Sequence, residues 1–129
     1  MLTESDQKIA EELRARLLAH WEGRVRRIIL YGSRARGTAS PESDFDVLVV
    51  EADPVFKWDE MRRLRQVMRN LPHPVDVWVM GEREFEETKN VIGGLAYPAY
   101  KYGIVLFTAP WERNLLHRVS AQVGNCNVQ

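Results

Sequence analysis

Apolar residues recur every fourth position at Ile9, Leu13 and Leu17, with polar residues between them. That spacing predicts a helix over 3–20 with one buried stripe. Thr3 can cap it, Asp6 three residues on completes a capping-box-like pattern, and Gly23 supplies the stop. The pattern then changes. Residues 25–31 and 45–50 are short and almost wholly apolar, as strands covered on both faces should be. Asp53-Pro54 predicts the next helix start, with Asp as the cap and Pro in the first turn. Trp58, Met61, Leu64 and Met68 carry its period to about residue 70, where Leu71-Pro72-His73-Pro74 ends it. Residues 75–80 and 104–108 read as two further strands. Between them lie a polar helix over 82–89 anchored by Phe85, a Gly93-Gly94 joint, and a short helix over 95–102 with Pro98 in its first turn. The predicted order is helix, strand, strand, helix, strand, helix, helix, strand. This is an α/β (α+β) fold, a mixed sheet of about four strands with helices packed on it.

A chain of 129 residues fits one domain with its own core. The expected division is a domain over 1–108, with its catalytic core at 24–80, and a partly flexible extension over 109–129. Trp111, Leu115 and Leu116 offer that extension a helical turn or two. Lys and Arg total 18 and so do Asp and Glu, so the chain is neutral and advertises no nucleic-acid surface. Five arginines, Arg24, Arg26, Arg27, Arg34 and Arg36, are expected to cluster around the Gly32-Ser33 turn. Arg62, Arg63, Arg65 and Arg69 read as a solvated helix face. Cys126 is the sole cysteine, so no intrachain disulfide is available, in keeping with a reducing cytoplasm. No early stretch reads as a signal peptide, and no apolar run approaches the roughly 20 residues that span a bilayer.

The candidate chemistry sits between the first two strands. Gly32-Ser33 is followed, after ten residues, by Asp44-Phe45-Asp46. Residues 32–43 form a loop with a short helix after Ser33. Asp44 and Asp46, two apart, point to one face, and Asp76 lies in a further strand. Three converging carboxylates repel one another unless cations stand between them, and magnesium prefers hard oxygen ligands. A turn able to cradle phosphates beside such a set suggests nucleotidyl transfer. The lysine of a P-loop is missing, and no Gly-x-Gly-x-x-Gly occurs. His20, His73 and His117 have no Cys or second His at ligand spacing. Trp58, Trp78, Tyr97 and Tyr100 read as core or interface.

Gly32-Ser33, Asp44-x-Asp46 and Asp76 resemble the polymerase-beta-like nucleotidyltransferase superfamily. Gly32-Ser33-Arg34-Ala35-Arg36-Gly37-Thr38 with Ser43-Asp44-Phe45-Asp46 is similar to its minimal nucleotidyltransferase (MNT) branch, over about residues 20–108. The resemblance implies that the first three strands build a catalytic sheet. Asp44 and Asp46 would bridge two Mg2+ ions, and Asp76 would hold the ion that activates the incoming hydroxyl and take its proton. Gly32 would admit the triphosphate of ATP and Ser33 would donate to a phosphate oxygen. Arg36 stands where the superfamily often has a phosphate-binding arginine, with Arg34 the second choice. In that branch the partner is a HEPN-type toxin protein, which receives AMP on a tyrosine and forms a hetero-oligomer with its antitoxin. Because the chain ends soon after its core, the partner is expected to supply the acceptor surface. The alternatives are an antitoxin that acts by binding alone and an adenylyltransferase for small molecules of the aminoglycoside type.

Overall fold

A computed structural model describes residues 2–21 and 23–110. The elements are α1 (Glu4–Trp21), β1 (Val25–Tyr31), α2 (Gly32–Arg36), β2 (Phe45–Glu51), α3 (Lys57–Val67), β3 (Val75–Gly81), α4 (Glu82–Thr88), α5 (Ala96–Tyr102) and β4 (Ile104–Thr108). Apart from α2, which falls in the 32–43 loop and starts at Gly32, this is the order that periodicity predicts. The C-terminal residues singled out above (Trp111, Leu115, Leu116, His117 and Cys126) lie outside the described residues.

The strands form one sheet in the order β3-β2-β1-β4, with β1 antiparallel to both neighbours and β2 parallel to β3. Alternation along the strands splits the core in two. Ile28, Leu30, Val47, Val49, Val77 and Val79 face Leu13 and Leu17 of α1 and Met61 and Leu64 of α3. Ile29, Leu48, Val50 and Met80 face Phe85 of α4 and Ala96 and Ala99 of α5. At each outer edge of the sheet of described residues an arginine bonds a strand carbonyl. The Arg65 Nε donates to Val77 O at 3.2 Å on β3, and the Arg14 Nε to Leu106 O at 3.0 Å on β4.

Thr3 caps α1 as expected, accepting from the Asp6 N–H at 3.0 Å. The Asp6 carboxylate does not complete a capping box, because it pairs with Arg34. The expectation for Asp53-Pro54 is also corrected: α3 starts at Lys57, after Phe56. Asp53 serves α4 instead, where its Oδ2 accepts from the Arg83 backbone N–H at 2.8 Å. Gly81 leaves the room, since an added Cβ would strike Asp53 Oδ1. Trp58 is 66% exposed and no part of the core. The arginines do not gather at the Gly32 turn either. Arg24, Arg26 and Arg27 stand at the opposite end of β1 and pair with Glu51, Glu82 and Glu86.

Glu51 and Glu60 are buried carboxylates on neighbouring elements. Burial first, and Glu60 next, push Glu51 up to about 7 from 4.5, while Arg24 pulls it down. A proton shared between the two acids would satisfy Glu51 Oε2 and Glu60 Oε1, which have no donor among the described residues. The native state therefore binds a proton that the unfolded chain releases near 4.5. Its stabilising contribution is full below that pH and is lost as pH rises through about 7. Thermal melts are expected to fall between about pH 4.5 and about pH 7 and then level off, and Glu51→Gln to flatten that slope.

Candidate active site

One corner of the sheet collects the end of β1, the start of β2 and the start of β3. Tyr31 is the register partner of Asp46, and Asp46 is the register partner of Asp76. Partners in register project to the same face, about 4.8 Å from strand to strand. Tyr31, Asp46 and Asp76 thus form a row across three strands, on the face that carries α4 and α5. Asp44 is exposed and lies just ahead of β2, two residues before Asp46.

Gly32 opens α2 directly after Tyr31. Its φ is +79°, a region that side chains disfavour, and an added Cβ would collide with Asp46 Oδ2. Glycine is required twice over, once for the turn and once for the carboxylate packed against it. Gly37 closes α2 with φ 78°. Ser33 lies in the first turn of α2, half-buried, and its carbonyl accepts from Thr38 N at 3.0 Å.

The two arginines of this loop have different environments. Arg34 is buried. It pairs with Asp6 at 3.0 Å, donates to Ser43 O at 2.9 Å and Pro41 O at 3.2 Å, and lies over the Phe45 ring at 4.6 Å. It ties the loop down, and its donors are spent on protein groups, which argues against a role for it at phosphate. Arg36 is exposed and near enough to Asp46 for its charge to favour the carboxylate.

Asp46 is nonetheless raised above its ordinary value of 3.8, by burial first and then by Asp76 and Asp44. Tyr31 is pushed up as well, by burial, Asp46 and Asp76, and stays a neutral phenol. The repulsion in these shifts reflects how near Asp44 and Asp76 lie to Asp46. Among the described residues neither Asp44 nor Asp46 has a hydrogen bond or ion pair. Asp76 has both: the Trp78 Nε1–H donates to Oδ2 at 2.9 Å, and Arg65 pairs with Oδ1 at 3.3 Å. As arranged, no group of three acids among the described residues converges on a single cation position. The donor chemistry still fits a hard divalent cation, with two open carboxylates and a third one strand away.

Sequence reasoning missed Tyr31, Trp78 and Arg65. Tyr31 was legible as the residue before the Gly-Ser turn. Trp78 is two residues from Asp76 on the same strand. Arg65 carries no local signal, because it reaches Asp76 around the sheet edge from α3.

Residues 7–106 match the nucleotidyltransferase domain family. A stretch of 46 residues is 41% identical to a candidate protein adenylyltransferase of Methanocaldococcus jannaschii, covering 36% of this chain. The chain thus spans about half (46%) of that curated relative. A candidate nucleotidyltransferase structure from Sulfolobus solfataricus aligns with a TM-score of 0.57 at 22% identity, over 78% of each chain. A toxin-antitoxin crystal structure with AMP-PNP aligns with a TM-score of 0.52 at 19% identity, over 88% of this chain and 93% of that one. At these identities the two structures establish a common fold. Among the described residues no helix is long and apolar enough to cross a membrane.

Proposed function

The chain belongs to the nucleotidyltransferase domain family, and from that premise we propose that it transfers AMP from ATP to a tyrosine hydroxyl of a partner protein, as the antitoxin of a HEPN-type toxin. The observation that carries this reading is the row of acids on adjacent strands, with Asp46 packed against a glycine that opens the loop. The adenylyltransferase likeness and the shared fold of the toxin-antitoxin structure support the choice of acceptor and partner.

In this reading Asp44, Asp46 and Asp76 hold divalent cations, two Mg2+ by the chemistry of the reaction. When bound, these ions neutralise charge on the attacking and leaving oxygens. The protein's own residues do the rest. Gly32 lets the backbone approach the triphosphate, Ser33 donates to a phosphate oxygen, and Arg36 adds a cation beside it. The acceptor oxygen bonds to the α-phosphorus as the bond to the β-phosphate oxygen breaks. Pyrophosphate leaves, and the hydroxyl proton passes to Asp76.

The test is transfer of label. The full chain is incubated with α-labelled ATP, Mg2+ and the protein that copurifies with it. Label and the mass of one or more AMP groups are expected on the partner. A partner that binds tightly yet gains no mass would overturn the catalytic reading and leave an antitoxin that works by binding.

A further inference from the structure

The helix α3 carries a cleft of about 490 Å³ that the site described above does not use. Trp58, Arg62, Arg65 and Arg69 line it, over Met61. Trp58, Arg62 and Arg65 stand four and three residues apart, which is one stripe of an α-helix, and Arg69 follows just beyond the helix end. Trp58 leaves a large aromatic face in water, 66% exposed. Arg62 has only the exposed Asp59 as an ion-pair partner, and Arg69 has none among the described residues. Arg65 belongs to both places, since it lines the cleft and pairs with Asp76 at 3.3 Å.

We infer that this cleft receives an acidic segment of the acceptor protein and brings its hydroxyl to Asp76. The inference rests on the protein acceptor of the proposed function. Three guanidiniums along one stripe suit carboxylates, and Trp58 supplies an aromatic platform beside them, the pairing typical of binding hot spots. From position 58 to position 69 the stripe runs about 16 Å. An extended segment of roughly five residues covers that length. A nucleic-acid strand fits less well, because it needs a basic track that continues along its backbone. Here the track is short, with Arg62 paired to Asp59 and Arg65 to Asp76. Carboxylates arriving in the cleft compete with Asp76 for Arg65, so docking releases Asp76 Oδ1 while Trp78 keeps its bond to Oδ2.

The test uses the full chain and a fluorescein-labelled peptide of six glutamates, read by anisotropy at low salt. The wild-type chain is expected to bind it. Arg62→Glu with Arg69→Glu is expected to weaken binding at least about tenfold, and Trp58→Ala several-fold, while affinity for a fluorescent ATP analogue stays unchanged. Absence of wild-type binding, equal binding by the charge-reversed chain, a matching loss of nucleotide affinity, or tighter arginine-dependent binding of an oligouridylate would each overturn the inference. The assay needs no turnover. A chain that binds the peptide but transfers no AMP would sink the proposed activity alone.

Discussion

Asp46→Asn is expected to cut AMP transfer by about 10³-fold, the scale on which losing one preorganised electrostatic group acts, and to raise the melting temperature. Both effects have one cause. Asp46 is half-buried, flanked in register by Asp76, preceded by Asp44, and raised above its ordinary value. Above that raised value the native state carries the carboxylate as a charge that burial and two like charges oppose. Its ionisation therefore destabilises the fold as pH rises through the native value, and protonation relieves the cost as pH falls. Asparagine keeps the shape, including the contact with Gly32, and removes the charge. In the proposed reaction that charge would hold a cation, so stability would be given up for function. The measurement pairs single-turnover labelling with thermal melts at neutral pH. A variant that keeps activity would remove Asp46 from the chemistry, and one that melts lower than wild type would refute the cost assigned to its charge.

Arg34→Ala is expected to be the most destabilising single change in the loop, by about 3–5 kcal/mol. Arg34 and Asp6 are both buried, and their pair joins α1 to α2. Removing the arginine leaves the buried Asp6 carboxylate without its partner, and leaves Ser43 O and Pro41 O without the donors they use now. Against a total of roughly 5–15 kcal/mol this is a large share, and the melting temperature should fall by roughly 10–20 °C. Replacing both partners, Arg34→Met with Asp6→Leu, should recover part of the loss, because no buried charge is then orphaned. The single variant should also lose activity, since the carbonyls that Arg34 holds lie in the segment leading to Asp44. Melts of Arg34→Ala, Arg34→Met, Asp6→Leu and the double variant, with labelling of each, separate packing from charge.

Strands and helices were legible because their signals are local. The apolar runs at residues 25–31 and 45–50 and the fourfold spacing of Ile9, Leu13 and Leu17 needed no tertiary context. Strand alternation put Asp44 and Asp46 on one face and Asp76 on a further strand, while the register that sets Asp46 beside Asp76 came only with the folded sheet. What stayed hidden was long-range. Asp53-Pro54 looks like a helix start, yet the acid bonds a backbone N–H thirty residues away. Arg34 and Arg36 are two apart in one motif, and only the buried Asp6 distinguishes the structural one from the open one. Trp58 keeps the helical period of core residues but falls on the outer face of α3, where no sheet waits to cover it.

The guanidiniums of Arg65 and Arg14, each on a strand carbonyl at the rim of the sheet, have a consequence for self-association. An intruding strand from a second copy would have to evict a tethered cation before making its first backbone bond. Crowded or freshly made chains therefore meet a barrier to polymerising side by side, at both ends of the ribbon.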